Sequence, residues 1–353
     1  MYKKWNDARK SITSYKGKFM ENNEKKIVKC ELLWTRICSL KCSYCSMATG
    51  KKNSVPLELW MKGMGQLKKL NCDFLAVYGA EPLDDFDKLA SLIFYVEGHL
   101  DMRTTVITSG LSKNIKSKLE ILYDCNLRSL TTSYDMVSLD SSSDTKSNLA
   151  LKTIDMFRSF GPVRDVAVIA TLTKKNYKAL PETIKRMSND NIWTFFDLIH
   201  ADRGQTGSKV KNTSLDLMFS SDDFKRLIDV LNEVLSLKKQ GYLCHASEIF
   251  INKIIEQQGN IYKWNCAKED NFPAWVTVDC NGVVYPCDDF QPDTELKIPI
   301  WKIYDEWSKF SEHWKAFVKN ACPGCCWNTH IDAHAIKRNE LPLTDYIHGT
   351  EEL

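Results

Sequence analysis

The chain has 353 residues, 43% hydrophobic and 26% charged, the proportions of a globular protein with room for one large domain and a smaller one. Its 48 basic and 45 acidic residues leave a net charge of +3, so nothing demands a polyanionic partner, and no basic–aromatic array marks a nucleic-acid interface. No apolar run approaches the roughly 18 residues of a membrane span and the amino terminus lacks a signal-peptide core, so a cytoplasmic protein with no membrane partner is expected.

Residues 1–26 form a polar extension. From 27 to 240, short β-branched runs alternate with segments of helical period. "IVKCELLW" precedes a cysteine loop and the helical "LELWMKGMGQLKKL". "FLAVYG" is followed by "FDKLASLIFYVEGHL", "TTVITSG" by "NIKSKLEILYDC", and "RSLTTSYD" by "LALKTIDMFRSF". The series closes with "VRDVAVIATLT" and "ALPETIKRM", then "IWTFFDLIH" and "DDFKRLIDVLNEVLSLKK". Six such units predict an α/β protein with a parallel sheet under helices. Without a Gly-x-Gly-x-x-Gly turn, an incomplete barrel suits them better than a dinucleotide fold. Functional residues of barrels gather at the carboxyl ends of the strands, where Cys38, Cys42, Cys45, Gly79, Glu81, Ser109 and Ser133 fall.

After residue 240 the texture changes, which predicts a small α+β domain over 241–353. "ASEIFINKIIEQQ" reads as a helix and "AWVTVDCNGVVYPC" as a hairpin turning at Asn281-Gly282, with Cys280 on the strand before the turn. "WKIYDEWSKFSEHWKAFVKN" reads as an amphipathic helix, and "ACPGCCWNTH" follows. His200, His245, His330 and His334 show no ligand pattern and are expected to be structural. Cys30, Cys72, Cys125 and Cys244 sit in apolar segments and read as small buried hydrophobes.

Thirteen cysteines in a reducing compartment call for a metal or redox explanation. A structural zinc site is closed by four ligands. A [4Fe-4S] cluster has four irons, so the triple Cys38, Cys42 and Cys45 would leave one open for chemistry. Zinc with a remote fourth ligand, or buried inert thiols, are the alternatives for this loop.

Cys-x3-Cys-x2-Cys with Tyr44 before the last cysteine resembles the signature of radical S-adenosylmethionine (radical SAM) enzymes. "YGAEPL" (78–83) is similar to the family's Gly-Gly-Glu-Pro segment, with Ala80 for the second glycine. "TSG" (108–110), "TTSYD" (131–135) and "ATLTKKN" (170–176) resemble its later strand ends. The resemblance covers roughly residues 28 to 240 and implies a partial (β/α)6 barrel. It implies a cluster on Cys38, Cys42 and Cys45 whose open iron binds S-adenosyl-L-methionine, reductive cleavage of that cofactor, and hydrogen abstraction from a substrate. It makes Tyr44, Gly79, Glu81, Ser109 and Ser133 cofactor-binding, with Glu81 accepting from the ammonium group. Cys266, Cys287, Cys322 and Cys325 resemble the auxiliary-cluster region called SPASM, or its shorter twitch form, implying a second [4Fe-4S] cluster. Cys326 is an alternative to Cys325, and a four-thiolate zinc site is the alternative to the cluster.

Such a cluster would take an electron from a substrate radical, which points to a net oxidation of a peptide, a protein or a small molecule. An external donor such as flavodoxin or ferredoxin would supply the first electron. Some 27 residues before the first strand are too few for a packed leader-binding domain, so a peptide would be held by the barrel mouth or a separate peptide-binding partner. The polar stretch "HADRGQTGSKVKNTSLDLMFSSDD" is a candidate lid, or simply a surface loop. Other readings are a nucleotide- or RNA-modifying enzyme of the same family and a non-catalytic cysteine-rich iron or zinc module.

Overall fold

The computed structural model describes residues 27–40, 42, 45, 47–134, 145–162, 164–199, 216–258, 264–266, 273–287, 297–320, 322 and 324–342. The amino-terminal extension, Tyr44, Asp135, His200 and most of the insertion read as a lid lie outside the described residues.

The six expected units are present. Strands β1 (Lys29–Thr35), β2 (Phe74–Gly79), β3 (Arg103–Thr108), β4 (Ser129–Ser133), β5 (Asp165–Leu172) and β6 (Trp193–Leu198) pair in parallel, each with the next. Between and after them run α1 (Leu57–Lys69), α2 (Phe86–His99), α3 (Ile115–Asp124), α4 (Thr145–Arg158), α5 (Leu180–Asn189) and α6 (Ser221–Lys239). In α5 one stripe is buried, Leu180, Ile184 and Met187 at spacings of four and three, whereas α2 is buried all round from Leu89 to Glu97. A reciprocal bond between Ser220 and the Asp223 backbone and side chain starts α6.

All seven residues of β1 are buried, but its two faces differ. Cys30, Leu32 and Trp34 join the apolar core beneath the helices, whereas Lys29 and Glu31 turn into the barrel and pair at 2.9 Å. Burial pushes the Cys30 thiol well up, consistent with an inert core side chain.

The carboxyl-terminal part contains α7 (Glu248–Glu256), β7 (Trp275–Val278), β8 (Val283–Tyr285), β9 (Ile298–Pro299), α8 (Trp307–Asn320) and α9 (Asn328–Lys337). The expected hairpin forms as β7 and β8, but its loop is four residues long and holds Cys280 in the turn rather than on a strand. The Asp279 carboxylate sets that loop by accepting from the backbone of Asn281 (2.9 Å) and Val283 (3.0 Å). The hairpin also belongs to the barrel sheet: β7 lies parallel to β1, with Lys29 opposite Trp275. One open, nine-stranded sheet results, in the order β6-β5-β4-β3-β2-β1-β7-β8-β9. It is a partial barrel extended by a hairpin.

The region read as one helix from Trp301 opens with a 3-10 turn at Ile300–Lys302, and α8 begins only at Trp307. Along β6, Thr194 donates to Leu243 (3.0 Å) and accepts from His245 (2.9 Å). The Asp197 carboxylate, near the end of β6, accepts from the backbone of Asn328 (2.8 Å), anchoring the start of α9 beside the barrel. Among the described residues, no helix is long and apolar enough to cross a membrane.

Candidate active site

The carboxyl ends of the strands surround a cavity of about 330 Å³ that runs down the barrel. Cys38, Cys42 and Cys45 line it from the β1–α1 loop. That loop is closed at its neck by backbone bonds from Arg36 to Lys51 (2.8 Å) and from Thr49 (3.0 Å) and Gly50 (2.8 Å) to Arg36. Inside it, Leu40 N–H points at Cys38 Sγ (3.3 Å) and Met47 N–H at Cys45 Sγ (3.5 Å). Burial raises the Cys38 thiol, the Leu40 N–H opposes it, and Glu81, Cys42 and Cys45 add to the rise. Thiols so crowded become thiolates only with positive charge nearby, as a metal centre provides.

β2 ends against this loop. Gly79 has φ +147°, and a Cβ there would stand 2.5 Å from the Thr35 carbonyl oxygen, so the close approach of β2 to β1 requires glycine. Ala80, where the family pattern has a second glycine, is not among the residues of positive φ and donates its N–H to Thr35 at 3.0 Å; a methyl is therefore tolerated. The Glu81 N–H reaches the Ile37 carbonyl (2.8 Å), tying the cysteine loop to β2.

Glu81 is held by the ends of the neighbouring elements. Its side chain is buried, and its oxygens are turned to protein donors rather than to the cavity. Oε1 accepts from Thr108 Oγ1 (2.7 Å) and Leu83 N–H (3.2 Å); Oε2 accepts from Ser109 N–H (2.8 Å) and Oγ (2.5 Å). Those four bonds use its acceptor positions. Burial raises its pKa, and the bonds from Ser109, Thr108 and Leu83 oppose that shift. Glu81 is a clamp between the ends of β2 and β3. Gly79, Ser109 and Ser133 line the cavity beside the cysteine triple, while Tyr44 lies outside the described residues.

The second cysteine set also comes together. Cys325 N–H donates to the Trp264 carbonyl (3.0 Å), beside Cys266, and Cys322 N–H to the Phe317 carbonyl (3.0 Å). Asn265 Nδ2 bridges the carbonyls of Val318 (3.1 Å) and Cys322 (3.3 Å), and Cys287 follows β8. Burial drives the Cys325 thiol well up, and Cys266, Cys287 and Cys322 add to it. Cys326, next to it, is pushed up by burial first and then by the charge of Asp197. Cys280 is elsewhere, packed with Leu33 and Met47 against Cys45. All 13 cysteines are unbridged. Among the described residues, no three His, Cys, Asp or Glu side chains converge closely enough to hold one metal ion. A single zinc would need its sulfurs about 3.8 Å apart.

The first turn of α9 completes the wall, with Trp327, Thr329 and His330 facing the cavity. Sequence reasoning missed His330, which stacks on Trp275 (centroids 3.8 Å apart, 26° between planes) with Nδ1 3.4 Å from Cys325 Sγ. Its place five positions after Cys325 was its only sequence signal. Lys29 and Glu31, hidden in an apolar run, and the hydroxyl pair of Thr105 and Thr131 (3.1 Å) were missed as cavity lining too.

A family model described as the Radical SAM superfamily matches residues 32–213. Among solved structures, SuiB of Streptococcus suis bound to S-adenosylmethionine is 19% identical with a TM-score of 0.63, the match covering 92% of this chain and 77% of SuiB. SuiB bound to its precursor peptide SuiA matches at 18% identity and a TM-score of 0.63 over 92% and 76% of the two chains. The enzyme anSMEcpe, with bound AdoMet and the Cp18Cys peptide, is 13% identical with a TM-score of 0.55, covering 91% of this chain and 96% of that one. At these identities the likeness is one of fold. No curated protein sequence matches the chain.

Proposed function

Because the chain belongs to the radical SAM superfamily, we propose that it is an oxidative peptide-modifying member with a second iron–sulfur centre on its carboxyl-terminal cysteines. The observation that carries this reading is one cavity lined on one side by Cys38, Cys42 and Cys45, and on another by the α9 turn that follows Cys322 and Cys325. The first set would hold a [4Fe-4S] cluster with one iron left for S-adenosyl-L-methionine, which together supply a one-electron reductive cleavage and a carbon-centred hydrogen acceptor.

The protein's own part is positioning. Backbone bonds from Arg36, Thr49 and Gly50 fix the loop that carries the three thiols. Glu81 holds Thr108 and Ser109 at the mouth, so that Gly79, Ser109 and Ser133, with Tyr44, are the proposed cofactor contacts. Lys29, Glu31 and the Thr105–Thr131 pair make the deeper cavity polar, suited to a hydrogen-bonding substrate group. Cys266, Cys287, Cys322 and Cys325 would hold the second cluster, since four unbridged thiols, three of which act on the fourth electrostatically, suit a thiophilic centre.

A peptide substrate is favoured by the shared fold with SuiB, which was solved with a precursor peptide. An external donor of the flavodoxin or ferredoxin kind and a reducing, cytoplasmic setting complete the reading. The test is anaerobic reconstitution of the full chain. About eight irons per chain, with 5′-deoxyadenosine released after reduction in the presence of S-adenosyl-L-methionine, are expected. About four irons would remove the second centre, and bound zinc without cofactor cleavage would remove the enzyme.

A further inference from the structure

His330 belongs to the first turn of α9, where three independent contacts fix its surroundings. Asn328 N–H is held by Asp197 at the end of β6, which sets the helix start. The imidazole lies flat on Trp275, a buried residue that opens β7 and pairs with Lys29 of β1, which sets the ring plane. Nδ1 then lies 3.4 Å from Cys325 Sγ. The same side chain is 98% buried yet forms part of the wall of the barrel cavity.

We propose that His330 is a positioning residue whose Nδ1–H donates a hydrogen bond to the Cys325 sulfur and raises the reduction potential of the centre that this sulfur helps to hold. It is also the side chain through which that centre meets whatever occupies the cavity. The inference rests on the reading of the carboxyl-terminal cysteines as an iron–sulfur site. A metal-bound thiolate carries no proton, so in this pair the ring nitrogen is the donor. An N–H···S bond withdraws charge from the sulfur and favours the more negative, reduced cluster, so the potential rises. The stack on Trp275 keeps the ring from swinging away when the charge on the sulfur changes.

The experiment uses the full chain carrying C38A, C42A and C45A, reconstituted without oxygen so that only the second centre reports. Iron is counted first, then the midpoint potential is read by electron paramagnetic resonance for this background, for His330→Phe and for His330→Asn. Phenylalanine keeps the stack and removes the donor; asparagine restores an N–H close to the place of Nδ1. The expected result is unchanged iron and a lower potential in H330F. At the unsubstituted midpoint, its oxidised-to-reduced ratio should change roughly tenfold, about 59 mV for one electron. Most of that shift should return in H330N. An unchanged potential in H330F, or equal shifts in both variants, overturns the inference while leaving the cluster reading intact. Absence of iron from the background chain overturns the cluster reading, and this inference with it. Should H330F not fold, histidine labelled with 15N in the unsubstituted ring decides: a nitrogen hyperfine coupling to the reduced centre is expected, and its absence overturns the proposal.

Discussion

Cys38, Cys42 and Cys45 stand on one half-buried loop and line the cavity themselves; Cys266, Cys287, Cys322 and Cys325 come from three separated segments and meet it, among the described residues, through the first turn of α9. The first set has three thiols and an open face. The second has four, one of them, Cys266, buried. An open ligand set beside a cavity is where a cofactor can dock, while a closed one is suited to moving electrons. The difference is tested most severely by taking one ligand from each. Cys42→Ala should cut iron by about half and reduce 5′-deoxyadenosine to background. Cys287→Ala should cut iron similarly yet leave cofactor cleavage in place, with loss confined to the substrate product. Equal loss of cleavage in both variants would erase the proposed division of labour.

The clamp behind each set differs too. Glu81 accepts four hydrogen bonds at the mouth, so Glu81→Ala leaves Thr108, Ser109 and Leu83 donors buried without a partner. We expect roughly 3–5 kcal/mol of lost stability in denaturant titration, the summed cost of several buried donors left without an acceptor. Cleavage of S-adenosyl-L-methionine should fall with it, while the iron of the second set is retained. Loss of less than about 1 kcal/mol would mean that the mouth does not depend on this clamp.

How much of this was legible in the sequence follows the same division. The six βα units and the cysteine loop are local patterns: β-branched runs, helical stripes and a triple within eight residues announce themselves. Pairing of β7 with β1 joins residues some 246 positions apart, such as Lys29 and Trp275, and leaves no local trace. Hence the hairpin read as part of a separate domain although its strands extend the barrel sheet. Lys29 and Glu31 were lost inside "IVKCELLW" because a buried strand reads as apolar overall even when one face lines a polar cavity. His330 showed no pattern because its partners, Trp275 and Cys325, are fixed by tertiary structure alone. Glu81 was legible as a strand-end residue, but its partners Thr108 and Ser109 sit on the next strand end, 27 and 28 residues on, so its hydrogen bonds were not.

A smaller effect should separate the two regions by pH. Asp332 in α9 is fully buried; its Oδ1 accepts from Ser247 Oγ, and Oδ2 has no hydrogen-bond partner among the described residues. Burial lifts its pKa to about 7, against the opposing Ser247 bond. A folded-state pKa above the unfolded one means that the native chain binds the extra proton. The stability contribution is therefore full below about pH 4 and is lost as pH rises through about 7. Asp332→Asn should flatten that decline and raise stability at pH 8 by roughly 2–3 kcal/mol, read from thermal melts across pH. An unchanged slope would place the titration elsewhere.

The smallest test lies on the seam between the regions. Gly63 in the middle of α1 faces Ile300, which is fully buried and precedes α8; a Cβ there would stand 2.6 Å from Ile300 Cγ2 and 3.0 Å from Cγ1. In an isolated helix, alanine for glycine would gain about 1 kcal/mol. Here the methyl must displace a side chain that has no free space, which costs roughly 1–3 kcal/mol. Gly63→Ala alone should therefore lose about 1 kcal/mol net. Ile300→Ala removes the atoms that collide, so in the double variant the helix gain of about 1 kcal/mol returns in place of the loss, and the two changes couple by about 2 kcal/mol. The measurement is the urea midpoint of the four chains at constant m-value. Coupling within error of zero would mean that α1 and Ile300 can part, and that the carboxyl-terminal cysteines are not held to the barrel through this contact.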